Sequence, residues 1–98
     1  MANQKSTDLE LAPVLDLNAA PGLRDALTKI IDRGIGIRVD FSTVERITTP
    51  CVQVIMAAKQ AFGDEGLNFS ATGLAPSIRE SFQDLGFAAV TAEWGGGK

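Results

Sequence analysis

The run Ile35-Gly36-Ile37-Arg38-Val39-Asp40-Phe41 is followed, after a short connector, by Thr48-Thr49-Pro50-Cys51-Val52-Gln53-Val54-Ile55-Met56-Ala57-Ala58-Lys59-Gln60-Ala61-Phe62. The first piece alternates, with Ile37, Val39 and Phe41 on one face, and reads as a strand. The second opens with threonine hydroxyls able to cap a helix and with a proline in the first turn, where a missing N–H costs nothing. Cys51, Ile55, Ala58 and Phe62 then recur at helical spacing, which predicts a helix from Pro50 to Phe62 with that stripe toward the core. Strand followed by helix is the repeating half of a βαβ unit.

Both flanks repeat the pattern. Upstream, Asp8-Leu9-Glu10-Leu11-Ala12 alternates as a short strand that Pro13 ends. Asn18 is the expected cap of a helix whose Leu23, Leu27, Ile30 and Ile31 share a face and which stops near Arg33-Gly34. Downstream, Leu67 to Thr72 reads as a third strand and Ala75 to Leu85 as a third helix, with Ile78, Phe82 and Leu85 inward. Gly86 ends that helix, and Phe87 to Thr91 reads as a last short strand. The expectation is an α/β fold of βαβαβαβ order: a mainly parallel four-stranded sheet, three helices and right-handed crossovers. One domain over 8–94 is expected, with flexible termini at 1–7 and 95–98, the latter because Gly95-Gly96-Gly97 has too much backbone freedom to order itself. Trp94 fits either a packed anchor or a frayed end.

Composition narrows the function. The chain has 98 residues, 45% of them hydrophobic and 21% charged, which suits one globular core. Its net charge is −3 and its nine Lys and Arg are scattered, so no nucleic-acid-binding surface is expected. No His and no Tyr occur, which excludes imidazole-based triads and His-ligated zinc. The one cysteine, Cys51, lies on the predicted buried face and reads as a core residue that has no partner for an internal disulfide. Asp16 and Asp40 each end a strand with no second carboxylate fixed beside them, so no metal, cofactor or catalytic residue is assigned. Gly34-Ile35-Gly36 precedes a strand and reads as a turn, not a dinucleotide fingerprint. The polar N-terminus and the lack of any run of about 18 apolar residues point to a soluble cytoplasmic protein without a membrane span.

Ligands of open α/β sheets meet the loops beyond the carboxyl ends of the strands. Three loops are expected there: Pro13 to Asn18, Phe41 to Cys51, and Thr72 to Pro76. Thr48 and Thr49 put two hydroxyls at a helix N-terminus, where free N–H groups and the dipole favour negative charge. Each reads either as an ordinary cap or as a functional hydroxyl.

The stretch Asp40-Phe41-Ser42-Thr43-Val44-Glu45-Arg46-Ile47-Thr48-Thr49-Pro50-Cys51-Val52-Gln53-Val54 resembles the signature region of STAS domains, the anti-sigma factor antagonists and their relatives. Leu15-Asp16, Ala75-Pro76-Ser77-Ile78-Arg79 and Leu85-Gly86-Phe87 extend the resemblance to roughly residues 8 to 92. Aligned without gaps, Thr48 stands for the family's Asp, Thr49 for its first Ser, Pro50 for the phosphorylated Ser, and Cys51 and Gln53 for two glycines. Proline has no hydroxyl, so the usual switch is lost at its usual position and Thr49, with Thr48 beside it, becomes the displaced candidate acceptor. The resemblance implies a strand order of 2-1-3-4 with the family's first strand missing, which leaves Ile37 to Phe41 as an exposed edge open to homodimerisation. Thr49 to Val54 is more similar to the small STAS proteins of bacterial chemotaxis.

The function implied by the resemblance is that of a non-enzymatic interaction module binding a signalling kinase, such as a chemotaxis histidine kinase. Its implied partner surface is Asp16, Thr48, Thr49, Pro50, Gln53, Gly73 and Pro76. The alternative within the class is an anti-sigma factor antagonist switched at or near Thr49. The alternative from another class is a small nucleotide-binding domain.

Overall fold

Tertiary pairing turns the alternating segments into parallel strands. The computed structural model describes residues 6–94. Strands β1 (Ser6–Glu10), β3 (Gly36–Asp40) and β5 (Phe69–Thr72) form one sheet in the order β1-β3-β5, and β2 (Val14–Leu15) and β4 (Arg46–Ile47) form a second, two-stranded one. All three pairings are parallel. Helices α1 (Ala20–Asp32), α2 (Thr49–Asp64), α3 (Pro76–Asp84) and α4 (Ala88–Glu93) complete the fold, with a 3-10 turn, Leu17–Ala19, ahead of α1.

The two sheets are one bent ribbon. Partners are offset by 30 residues in the β1–β3 ladder and by 32 in the β2–β4 ladder, so the later strand carries two surplus residues. Pro13, which has no N–H, breaks the ladder at that point. The gap is closed from the other strand: Thr43 Oγ1 donates to the Leu11 carbonyl at 2.9 Å, and the Glu45 and Arg46 amides share the Pro13 carbonyl at 2.7 and 3.2 Å.

Alternation sorts the main sheet into a wet and a dry face. Asp8, Glu10, Arg38, Ser70 and Thr72 are exposed, and Arg38 pairs with Asp8 at 3.1 Å. That hydrogen bond and the charge beside it raise the Arg38 guanidinium pKa further. On the dry face Ile37, Val39 and Ala71 meet Leu27, Ile55, Phe62, Ile78 and Phe82 from the helices in one core.

Several expectations need correction. Ile37 to Phe41 is not an edge: β3 lies between β1 and β5, so the second and third long strands sit side by side and the 2-1-3-4 order fails. The homodimer expectation thereby loses the edge on which it rested. The sheet is not four-stranded, because Phe87 to Thr91 folds as α4 and not as a strand. The Phe87 carbonyl accepts from the Val90 and Thr91 amides, and Trp94 turns inward onto Phe41, Phe69 and Phe82 at ring distances of 6.3, 6.2 and 5.6 Å. Leu85, expected inward, is the exposed C-cap of α3. Of the termini expected to be loose, Ser6 and Thr7 belong to β1, while 1–5 and 95–98 lie outside the described residues.

Candidate functional site

The three expected loops do meet, and backbone carbonyls hold them together. Asp16, Thr48 and Cys51 form the tightest knot. The Leu15 carbonyl accepts from the Thr48 amide at 2.9 Å and from Thr48 Oγ1 at 3.0 Å. One residue on, the Asp16 carbonyl accepts from Cys51 Sγ at 3.3 Å. Cys51 is fully buried there, and desolvation pushes its thiol pKa up against the opposing hydrogen bond from Thr48.

The caps differ from those expected. Asp16, not Asn18, caps the start of the first helical segment: its Oδ1 accepts from the Asn18 and Ala19 amides at 3.0 and 3.2 Å. Thr48, not Thr49, is the N-cap of α2, and its hydroxyl makes no cap bond because it is spent on Leu15. Thr49 is the first helical residue, is exposed, and has no side-chain hydrogen bond among the described residues. Pro50 is half-buried beside it and Gln53 is exposed in the next turn, so Asp16, Thr48, Thr49, Pro50 and Gln53 share one end of the molecule.

Gly73 and Pro76 belong to a neighbouring knot. Gly73 has φ +77°, and a Cβ on it would come within 2.9 Å of the Ser42 backbone nitrogen, so only glycine lets the β5–α3 loop close on the β3–β4 loop. The Ser42 amide in turn donates to Asp40 Oδ1 at 2.9 Å, and this bond first of all lowers the Asp40 carboxyl pKa. Pro76 is the exposed first residue of α3. No hydrogen bond links Gly73 or Pro76 to Thr49 among the described residues.

Sequence reasoning missed Leu17, which is 68% exposed, and Val14, which is 41% exposed. Period-two alternation puts Leu17 on the buried side with Leu15, but the Asp16-capped turn starts between them and rotates Leu17 outward. The readable signal was Asp16 itself, a cap residue immediately before Leu17. Chemically the site presents hydroxyl, amide and apolar groups on a fixed backbone. No cluster of three or more Cys, Asp or Glu side chains able to hold a metal occurs among the described residues.

Comparison with known proteins fits this geometry. Two solved structures of SpoIIAA superpose on the chain. The anti-sigma factor antagonist SpoIIAA in its unphosphorylated form gives a TM-score of 0.70 at 18% identity, covering 85% of this chain and 77% of that one. The phosphorylated form, described as a Bacillus cell fate determinant, gives 0.71 at 18% identity, covering 91% and 82%. No curated protein matches the chain. A family model described as "Mlab, STAS domain" matches residues 2–92, nearly the whole length, and the chain belongs to the STAS domain family.

Proposed function

We propose that this chain is a non-enzymatic docking module of the anti-sigma factor antagonist type. It binds a cytoplasmic signalling protein, a kinase that acts as an anti-sigma factor, through the surface formed by Asp16, Leu17, Thr49, Pro50 and Gln53. The observation that carries the reading is the state of Thr49. Everything around it is tied down, since Leu15, Asp16, Thr48 and Cys51 bond to one another, whereas the Thr49 hydroxyl is exposed and unbonded among the described residues. A rigid frame around a free polar centre is what a preorganised contact surface requires. The likeness to an anti-sigma factor antagonist favours this reading over the chemotaxis histidine kinase, for which the resemblance of Thr49 to Val54 is the only support. Pro50 cannot be phosphorylated, so Thr49 is the acceptor of a phosphate switch, and a phosphate there adds about −2 charge to the contact surface.

The test is a photo-crosslinking residue in place of Thr49, expressed in the native cell, with adducts identified by mass spectrometry. An adduct with a kinase or anti-sigma factor is expected. An adduct only with a metabolic enzyme, or none, overturns the reading.

A further inference from the structure

Helices α1 and α2 each follow one of two parallel strands that are neighbours in the sheet, so they run side by side in the same direction with both N-termini at the docking end. Between their outer surfaces lies a groove of about 490 Å³. One wall carries Arg24, Thr28 and Ile31, the other Gln53, Ala57 and Ala61. Leu27 and Phe62, both buried, close the floor. From Ala20 to Ile31 the groove is about 16 Å long, three helical turns. Ala57 and Ala61 are exposed, which keeps the α2 wall low enough for another backbone to lie against it.

Its charge is one-sided. Arg24 is the sole charged residue lining the groove and has no ion pair among the described residues. Across from it, the first turn of α2 has no acidic residue and no side-chain cap of its own, and the negative charge that reaches it is that of Asp16. Asp16 is turned to the amides of its own turn, and Asp25 is about 100° round α1 from Arg24 and does not line the groove. The lining of the groove is therefore charged only at its Arg24 end, by a cation, and its far end, at Ile31 and Ala61, is apolar.

We propose that the α1–α2 groove seats an amphipathic helix of the partner protein, which presents an Asp or Glu to Arg24 and an apolar stripe, three and seven residues along, to the far end. The proposal rests on the proposed docking function and extends that surface along the helices. A helix suits the groove in length, and its carboxylate supplies the counter-charge that Arg24 lacks. A second copy suits it less. A stable dimer buries ~600–800 Å² per partner, several times the footprint of a groove this long and one helix wide. A two-fold contact centred here also brings no carboxylate to Arg24, because the same lining, which has no Asp or Glu, faces itself.

The experiment places the photo-crosslinking residue at Thr28, mid-groove, in parallel with the Thr49 crosslinking variant, and maps the partner peptide captured by each. The expected Thr28 adduct is a helical segment of the protein captured at Thr49, with an acidic residue followed at helical spacing by apolar ones. Capture at Thr49 without capture at Thr28 overturns the groove and leaves the docking function standing. A Thr28 adduct with a second copy of this chain, with a small molecule, or with a basic or non-helical segment overturns it as well, and silence at both positions removes both readings. Arg24→Glu should weaken the captured partner by about 10-fold or more, with an unchanged melting temperature, and reversal of the partner's acidic residue to Arg should restore binding. Ala57→Trp, which fills the groove from an exposed position, should weaken it comparably, and full affinity in both variants overturns the proposal.

Discussion

Two adjacent threonines do different work. Thr48 spends its hydroxyl on the Leu15 carbonyl at 3.0 Å, whereas Thr49 spends its own on nothing among the described residues. Thr48→Val should therefore cost about 1 kcal/mol, the net worth of an ordinary hydrogen bond, since Leu15 keeps the Thr48 amide as a donor. Thr49→Val should change stability by less than about 0.5 kcal/mol. Urea unfolding of both variants checks the order, and a larger loss at Thr49 contradicts the assignment. Cys51 gives a pH signature. Burial raises its folded pKa above the unfolded value of about 8.5. The folded state therefore holds the proton more tightly, its advantage is complete below pH ~8.5, and it declines as the pH rises from there through the folded pKa. Cys51→Ala should remove that alkaline decline, so the urea midpoints of the two proteins should converge as the pH is raised beyond the ordinary thiol range. The thiol should also react with a disulfide reagent only on unfolding, since the thiolate is the reactive form and the sulfur is fully buried.

Elements were legible where one stretch of sequence carried its own punctuation. The Leu23, Leu27, Ile30 stripe and the exit at Arg33-Gly34 gave α1, and Thr48-Thr49-Pro50 gave the start of α2 within a residue. What stayed hidden depended on distant partners. Nothing local says that β3 is central, because that follows from β1 and β5 pairing on its two sides. Phe87 to Thr91 alternates weakly enough to read as a strand, but it leaves the outer edge of β5 unpaired and folds as α4, which brings Trp94 inward to complete the cluster with Phe41 and Phe82. For the site, the hydroxyls at the head of α2 were readable from capping chemistry, while Leu17 and Arg24 were not, since one is turned outward by a cap and the other matters only beside a second helix. Trp94 is 8% exposed, so Trp94→Ala should cost about 3–5 kcal/mol as a buried aromatic truncation; a change below about 1 kcal/mol in denaturant unfolding shows that α4 does not anchor the core. The loop glycines should separate likewise. Gly34 and Gly73 both have positive φ, +71° and +77°, but only Gly73 faces backbone at 2.9 Å. Gly34→Ala should cost ~1–2 kcal/mol for the left-handed backbone alone, and Gly73→Ala clearly more. Equal melting temperatures contradict the close approach to Ser42.

Across the whole molecule, rigidity and exposure are divided. The sheet's outer face is polar and its strands are short, the core lies between sheet and helices, and the large apolar side chains left outside are Val14 and Leu17 at the proposed docking end and Leu85 at the C-terminus of α3, with further apolar surface along the α1–α2 groove. Exposed and without a side-chain hydrogen bond among the described residues, Thr49 is not required by the fold to be threonine; the proposed function requires it. One substitution separates the two demands. Thr49→Asp puts a carboxylate in the first turn of α2, which has none, and a negative charge there complements the helix dipole by ~0.3–1 kcal/mol. The melting temperature should therefore hold or rise slightly. On the contact surface the same charge opposes the partner's own carboxylate at the end of the groove where Arg24 is proposed to receive it. Partner affinity should fall by about 10-fold or more, and raising the salt concentration should recover part of the loss, because the repulsion is screened over a Debye length of about 10 Å at ~0.1 M. Thermal melts paired with titration of the partner captured at Thr49, at low and high salt, measure both effects. A stable variant that binds as tightly as the wild type removes Thr49 from the docking surface, and a variant that loses affinity only because it has lost its fold returns Thr49 to a purely structural role.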